Sequence, residues 1–102
     1  MPVPFSTTKV VTNSATPVVL TTWQRTDKPF TVFVHNHSGG GTVYLTNSPT
    51  GTVDDSWPLN DGDQFAFTVP AGPAYGSVPT ETLYILPEPG RAVFVSAFIA
   101  PH

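Results

Sequence analysis

Twelve prolines and eight glycines are spread along this 102-residue chain, so that no stretch of a dozen residues keeps a helical period free of them. Each proline fixes φ and removes a backbone donor, and each glycine weakens a helix interior. What lies between these breakers is a series of short β-branched and aromatic runs, bounded by Pro, Gly, Asn, Asp or Ser. That pattern predicts an all-β protein. Seven strands are expected, over 6–12, 17–24, 30–36, 42–47, 64–69, 82–87 and 91–100. They suit an antiparallel β-sandwich, immunoglobulin-like or jelly-roll-like, of about seven strands. Residues 1–16 read as an extended arm and first strand, and 17–102 as the body of a single domain. The arm, MPVPFS, has prolines on both sides of Val3.

Alternate side chains along a strand point to opposite faces. In 30–36, Phe30, Val32, Val34 and Asn36 share one face, and Thr31, Phe33 and His35 the other. Phe65, Phe67 and Val69 likewise oppose Ala66 and Thr68, which marks half-buried strands. The last two strands differ. Leu83 and Ile85 oppose Tyr84 and Leu86, while Val93, Val95, Ala97 and Ile99 oppose Phe94, Ser96 and Phe98. A strand apolar on both faces is central to a larger structure or covered by a partner. A subunit contact is therefore expected on the final strand.

Charge narrows the function. Charged residues make up 11% of the chain, against roughly 25% in an average domain. The net charge is −3, the pI is about 5.3, and Lys9, Arg25, Lys28 and Arg91 are scattered. This is not the electrostatic footprint of a nucleic-acid binder. Without cysteine, disulfides, thiolate zinc sites and thiol nucleophiles are excluded. The first residues have neither a basic n-region nor an apolar h-region, so no secretory signal is expected. The longest apolar run, AVFVSAFIA at 92–100, is far shorter than the roughly 18 residues of a membrane helix.

Candidate chemistry is sparse. His35 and His37 sit two apart on one strand face, within reach of one metal, with Asp54 or Asp55 as possible further ligands. Zinc needs three or four ligands, however, and the remaining histidine is His102. The plainer reading places both histidines on the solvent side of a strand entering a hairpin. Asn36-His37-Ser38 matches a glycosylation sequon, but a chain without a secretory signal would not meet that machinery. Asp54, Asp55, Asp61 and Asp63 suggest calcium, yet their spacing does not fit an EF-hand loop and Asn60-Asp61-Gly62 is a turn signal. There is no Gly-x-Ser-x-Gly elbow and no phosphate-cradling loop before a helix. Catalytic residues, cofactors and metals are not expected. Trp23 and Trp57 could form a sugar-binding platform. Trp57-Pro58-Leu59 reads instead as a plug at the end of the sandwich.

The order of motifs carries a resemblance. A strand ending in Asn36-x-Ser38 is followed by a glycine-rich turn and by Val43-Tyr44-Leu45. Pro58-Leu59-x-x-Gly62-Asp63 comes next, then Leu83-Tyr84, Gly90, and Val93-x-Val95. Over about 17–97 this resembles small β-sandwich structural proteins of tailed bacteriophages. Thr46 stands where a glycine is usual, and the loop at 71–81 is longer than typical. The resemblance implies a virion structural protein made in the host cytoplasm, with decoration of the capsid exterior as its role. The implied partner is the major capsid protein, with a homo-oligomer, a trimer for example, also possible. No nucleic acid and no membrane are implied. The expected contacts are the arm residues Pro2, Val3, Pro4 and Phe5 together with Phe94 and Phe98. The alternatives are a tail or fibre subunit and a carbohydrate-binding module.

Overall fold

Each half-apolar run pairs with another until every inward face is covered, and two sheets result. The computed structural model describes residues 6–37, 41–72, 79–90 and 92–101. The expected contact residues Pro2, Val3, Pro4 and Phe5, and His102, lie outside the described residues. Eight strands form: β1 (Ser6–Thr12), β2 (Val18–Trp23), β3 (Phe30–Asn36), β4 (Val43–Thr46), β5 (Trp57–Leu59), β6 (Gln64–Val69), β7 (Glu81–Pro87) and β8 (Val93–Pro101). A 3-10 turn, Val53–Asp55, precedes β5.

One sheet has the order β1-β8-β3-β6 and the other β2-β7-β4-β5. All pairs are antiparallel. β1 pairs with β8, β2 with β7, β3 with β6 and β4 with β5, so the chain is a long hairpin folded back on itself from its β4–β5 tip. Rolling that hairpin brings β3 against β8 and β4 against β7. This nested pairing is the jelly-roll arrangement of two Greek keys. The β-sandwich expected from the breaker pattern is present, with the jelly-roll choice settled by strand order.

The strand count is corrected from seven to eight. Trp57-Pro58-Leu59 is not a plug but a three-residue edge strand, aligned with Val43, Tyr44 and Leu45 of β4. A proline is tolerated there because an edge strand has an unpaired side where a missing N–H leaves no ladder bond unmade. β1 is paired along its whole length, from Ser6 opposite Ile99 to Thr12 opposite Val93, and belongs to the sheet as much as the strands of the body.

The inward faces follow the alternation. Val32, Val34, Val43, Ile85, Val93 and Val95 are fully buried, joined by Leu20, Leu45, Leu59, Val69, Leu83 and Ala97. The two-sided apolar strands are explained in part by position: β8 and β7 are each central in their sheets. The second face of β7 is covered by the chain itself. Leu86 lies with Asn13, Ser14, Ala15 and Val53 around a small cavity of about 180 Å³. On the second face of β8, Phe94 is exposed and Ser96 and Phe98 are half-buried.

Thr46, at the position where the phage pattern has glycine, makes a local turn. Its Oγ1 accepts the Ser48 N–H at 3.2 Å. A Cβ at Gly51 would lie 2.6 Å from that Oγ1, so the room a glycine would leave at 46 is supplied at 51.

Candidate functional site

The open face belongs to the sheet β1-β8-β3-β6. The register aligns its outward residues in rows. Phe98 lies opposite Phe33, which lies opposite Ala66. The next row is Lys9, Ser96, His35 and Gln64, and beyond it Val11 lies opposite Phe94. His37 joins that last row, its N–H donating to the Phe94 carbonyl at 2.9 Å. Ring contacts knit the rows together. Phe33 and Phe98 have centroids 5.9 Å apart, His35 and His37 stack at 5.4 Å, and His37 stacks on Phe94 at 6.4 Å.

Phe94 keeps 38% of its surface in water and Val11 57%. Phe33, Phe98 and His37 are half-buried. Lys9 is the only charged side chain among the described residues of this face. The result is a flat aromatic surface with a polar centre, which suits a protein partner: apolar enough to gain from burial, with few charges to desolvate.

The histidines belong to this surface. His37 Nε2 shares a hydrogen bond of 2.9 Å with Ser96 Oγ on the neighbouring strand. Among the described residues, no three of His, Asp and Glu gather where they could hold a metal ion. The aspartates serve turns. Asp55 Oδ1 accepts the Thr52 N–H at 2.8 Å, and Asp63 N donates to the Asn60 carbonyl at 3.0 Å.

Asn36 ties the motif residues of this chain together. It is fully buried, and its Nδ2 donates to the carbonyls of Gly41 at 2.9 Å and Leu59 at 2.8 Å. Its backbone N–H donates to the Asp63 carbonyl at 3.1 Å, and its carbonyl accepts from Gly62 N at 2.8 Å. Gly62 has φ +83, a conformation that side-chain-bearing residues rarely adopt. One side chain thus binds the β3–β4 turn and the end of β5, while its own backbone holds the turn before β6. Asn36 and the Leu59-x-x-Gly62-Asp63 motif are two halves of one hydrogen-bonded node. No protein-family model and no curated protein matches the sequence.

A second feature had no sequence signal. A cleft of about 510 Å³ opens where β2 ends and β7 begins, lined by Trp23, Asn47, Phe67 and residues Thr80 to Tyr84. At its rim Arg25 grips Glu81 with two bonds, Nε to Oε1 at 2.8 Å and a terminal nitrogen to Oε2 at 3.3 Å. These residues are 56 positions apart. The hydrogen bond from Arg25 is the main cause holding the Glu81 carboxyl below its usual range, and the same bond raises Arg25. Trp23 Nε1 is buried and meets no partner at full hydrogen-bond geometry among the described residues, but it lies near enough to Glu81 to favour the carboxylate as the last of the causes. A depressed Glu81 contributes stability above its unfolded pKa and loses it as pH falls through the folded one. Acid titration of stability is expected to be flatter in Glu81→Gln than in the parent below about pH 4.5, the ordinary Glu range. The difference is small because both side chains are about a third exposed. Equal acid limbs would show that the pair is not formed in solution.

The two tryptophans do not make a common platform. Trp57 is 61% exposed, whereas Trp23 is half-buried in the cleft. They end a row of four rings, Trp57, Phe65, Phe67 and Trp23, with successive centroids 6.0, 5.8 and 5.8 Å apart. Among the described residues, no helix is long and apolar enough to cross a membrane.

Proposed function

We propose that this chain is a structural protein of a tailed-phage virion that decorates the capsid exterior. It docks on the major capsid protein through the outer face of β8. The observation that carries this reading is the aromatic face around Phe94 and Phe98, on a strand central to its sheet, where Phe94 and the neighbouring Val11 are exposed. The motif resemblance supports it from a separate direction, because its residues build the Asn36 node and the sandwich rather than a reactive centre. A protein of this kind works by binding: it stabilises the assembled shell by mass action, having affinity for the shell and not for its dispersed subunits. The arm residues Pro2, Val3, Pro4 and Phe5 extend the contact in this proposal.

Co-sedimentation with capsids of the phage that encodes the chain tests it. Phe94→Ser with Phe98→Ser, combined with deletion of residues 1–5, is expected to abolish capsid binding while far-UV circular dichroism stays that of the parent. Undiminished binding would refute the assigned face. A tail or fibre subunit could use the same surface; a handful of copies per particle rather than hundreds would favour it. A carbohydrate-binding module needs both tryptophans exposed on one face, and the recessed Trp23 weighs against that.

A further inference from the structure

Four strands are sheet edges, β1 and β6 in one sheet and β2 and β5 in the other. A bare edge is a template for pairing with another chain, and proteins blunt it with lysine, proline, bulges or shortness. Three of these edges carry such a device. β1 has the exposed Lys9. β2 breaks register between Val19 and Thr21. β5 has three residues, with Pro58 at its centre. β6, Gln64–Val69, has none: six residues, no charge, no proline, and an unbroken register against β3.

The groups it offers outward can be counted. The Asn36 N–H bonds the Asp63 carbonyl, which marks residues 36 and 63 as a hydrogen-bonded position of the β3–β6 ladder. Such positions alternate along an antiparallel pair. Phe65, Phe67 and Val69 therefore turn their amides and carbonyls toward β3, and Gln64, Ala66 and Thr68 turn theirs to the open side. The side chains of those last three are exposed. Read outward from Ala66, the strand is a palindrome in kind: phenylalanine on either side, then an uncharged polar residue on either side.

We propose that β6 pairs antiparallel with β6 of a second copy of this chain, about a two-fold axis at Ala66. Ala66 then lies opposite Ala66, Gln64 opposite Thr68, and Phe65 opposite Phe67. The N–H and C=O groups of Gln64, Ala66 and Thr68 all meet counterparts, and no charged residue opposes its own copy. Asp63 falls opposite Val69. Phe65 and Phe67, half-buried in one copy, meet at a closely spaced non-hydrogen-bonded position, where cross-strand aromatic pairs gain most. The two rows of four rings become neighbours. The axis is perpendicular to the sheet, so eight strands run continuously through the pair and both outer faces end on the same side. An isologous contact uses up the edge in both copies and closes at two, unlike a trimer, the example of a homo-oligomer given with the phage resemblance. This inference does not depend on the capsid proposal, since it concerns the isolated chain.

Sedimentation of the full chain between about 1 and 100 µM tests it. A monomer–dimer equilibrium is expected in the parent. Ala66→Lys, which sets two ammonium groups face to face, is expected to weaken it at least about tenfold with an unchanged far-UV spectrum. Ala66→Asp alone is expected to do the same. Mixing the two variants is expected to restore a dimer, because residue 66 of one copy faces residue 66 of the other. A parent that stays monomeric throughout, a parent that forms trimers, a dimer indifferent to Ala66→Lys, or a mixture that stays monomeric would each overturn the proposal.

Discussion

Replacing Asn36 with alanine is expected to lower stability by about 3 kcal/mol, because the Gly41 and Leu59 carbonyls lose their common donor inside the protein. For a domain of this size that is a fall in Tm of about 15 °C. Two segments distant in sequence share this side chain, so the loss is not local: the β3–β4 turn and the end of β5 both loosen. Asn36→Asp is the sharper variant. It keeps the shape but turns an acceptor toward two carbonyls, in a buried place where repulsion is poorly screened. His35→Ala and His37→Ala combined are expected to cost within about 1 kcal/mol, since both rings lie on the outer face and only the Ser96 hydrogen bond and ring contacts are lost. Denaturant titration of the three variants checks the order. If the histidine pair proved costlier than Asn36, an unseen role for the imidazoles, such as a shared metal, would have to be sought.

The second large effect concerns the strands that are apolar on both faces. Ile85→Ala is expected to cost about 3 to 4 kcal/mol, because Ile85 is fully buried between the sheets, where neighbours on rigid strands cannot collapse into the gap. Leu86→Ala, on the reverse face of the same strand, is expected to cost about 2 kcal/mol, since the loops over it can relax inward. Phe94→Ser is expected to change stability by no more than about 1 kcal/mol, as its ring is already 38% exposed. Thermal unfolding of the three measures this order. Equal losses at Ile85 and Phe94 would mean that the outer face of β8 is covered within the isolated chain.

Period-two alternation was enough to read the strands and their faces. Val32, Val34 and Asn36 on one side of β3, and Phe94 and Phe98 on one side of β8, fall where the pattern places them. β5 escaped because its three residues are too few to alternate and hold a proline, and only its alignment with β4 makes it a strand. The nested pairing also escaped, since a strand's pattern says which face is buried and not which neighbour it meets. For the same reason Phe94 and Phe98 could be named as surface aromatics, but their company of Phe33, His35, His37 and Val11 could not. The bridge from Arg25 to Glu81 and the cleft beside it left no trace in spacing or composition. The palindrome of β6 was open to view, but it means little until the strand is known to be an edge.

The same nested order places Ser6 directly across from Ile99. The start of β1 and the end of β8 therefore lie side by side at one corner of the sandwich, while the β4–β5 tip belongs to the other sheet. A polypeptide grafted directly onto Ser6 or onto Pro101 would leave from that shared corner, at the flank of the aromatic face. Two cargoes carried by one copy would travel side by side.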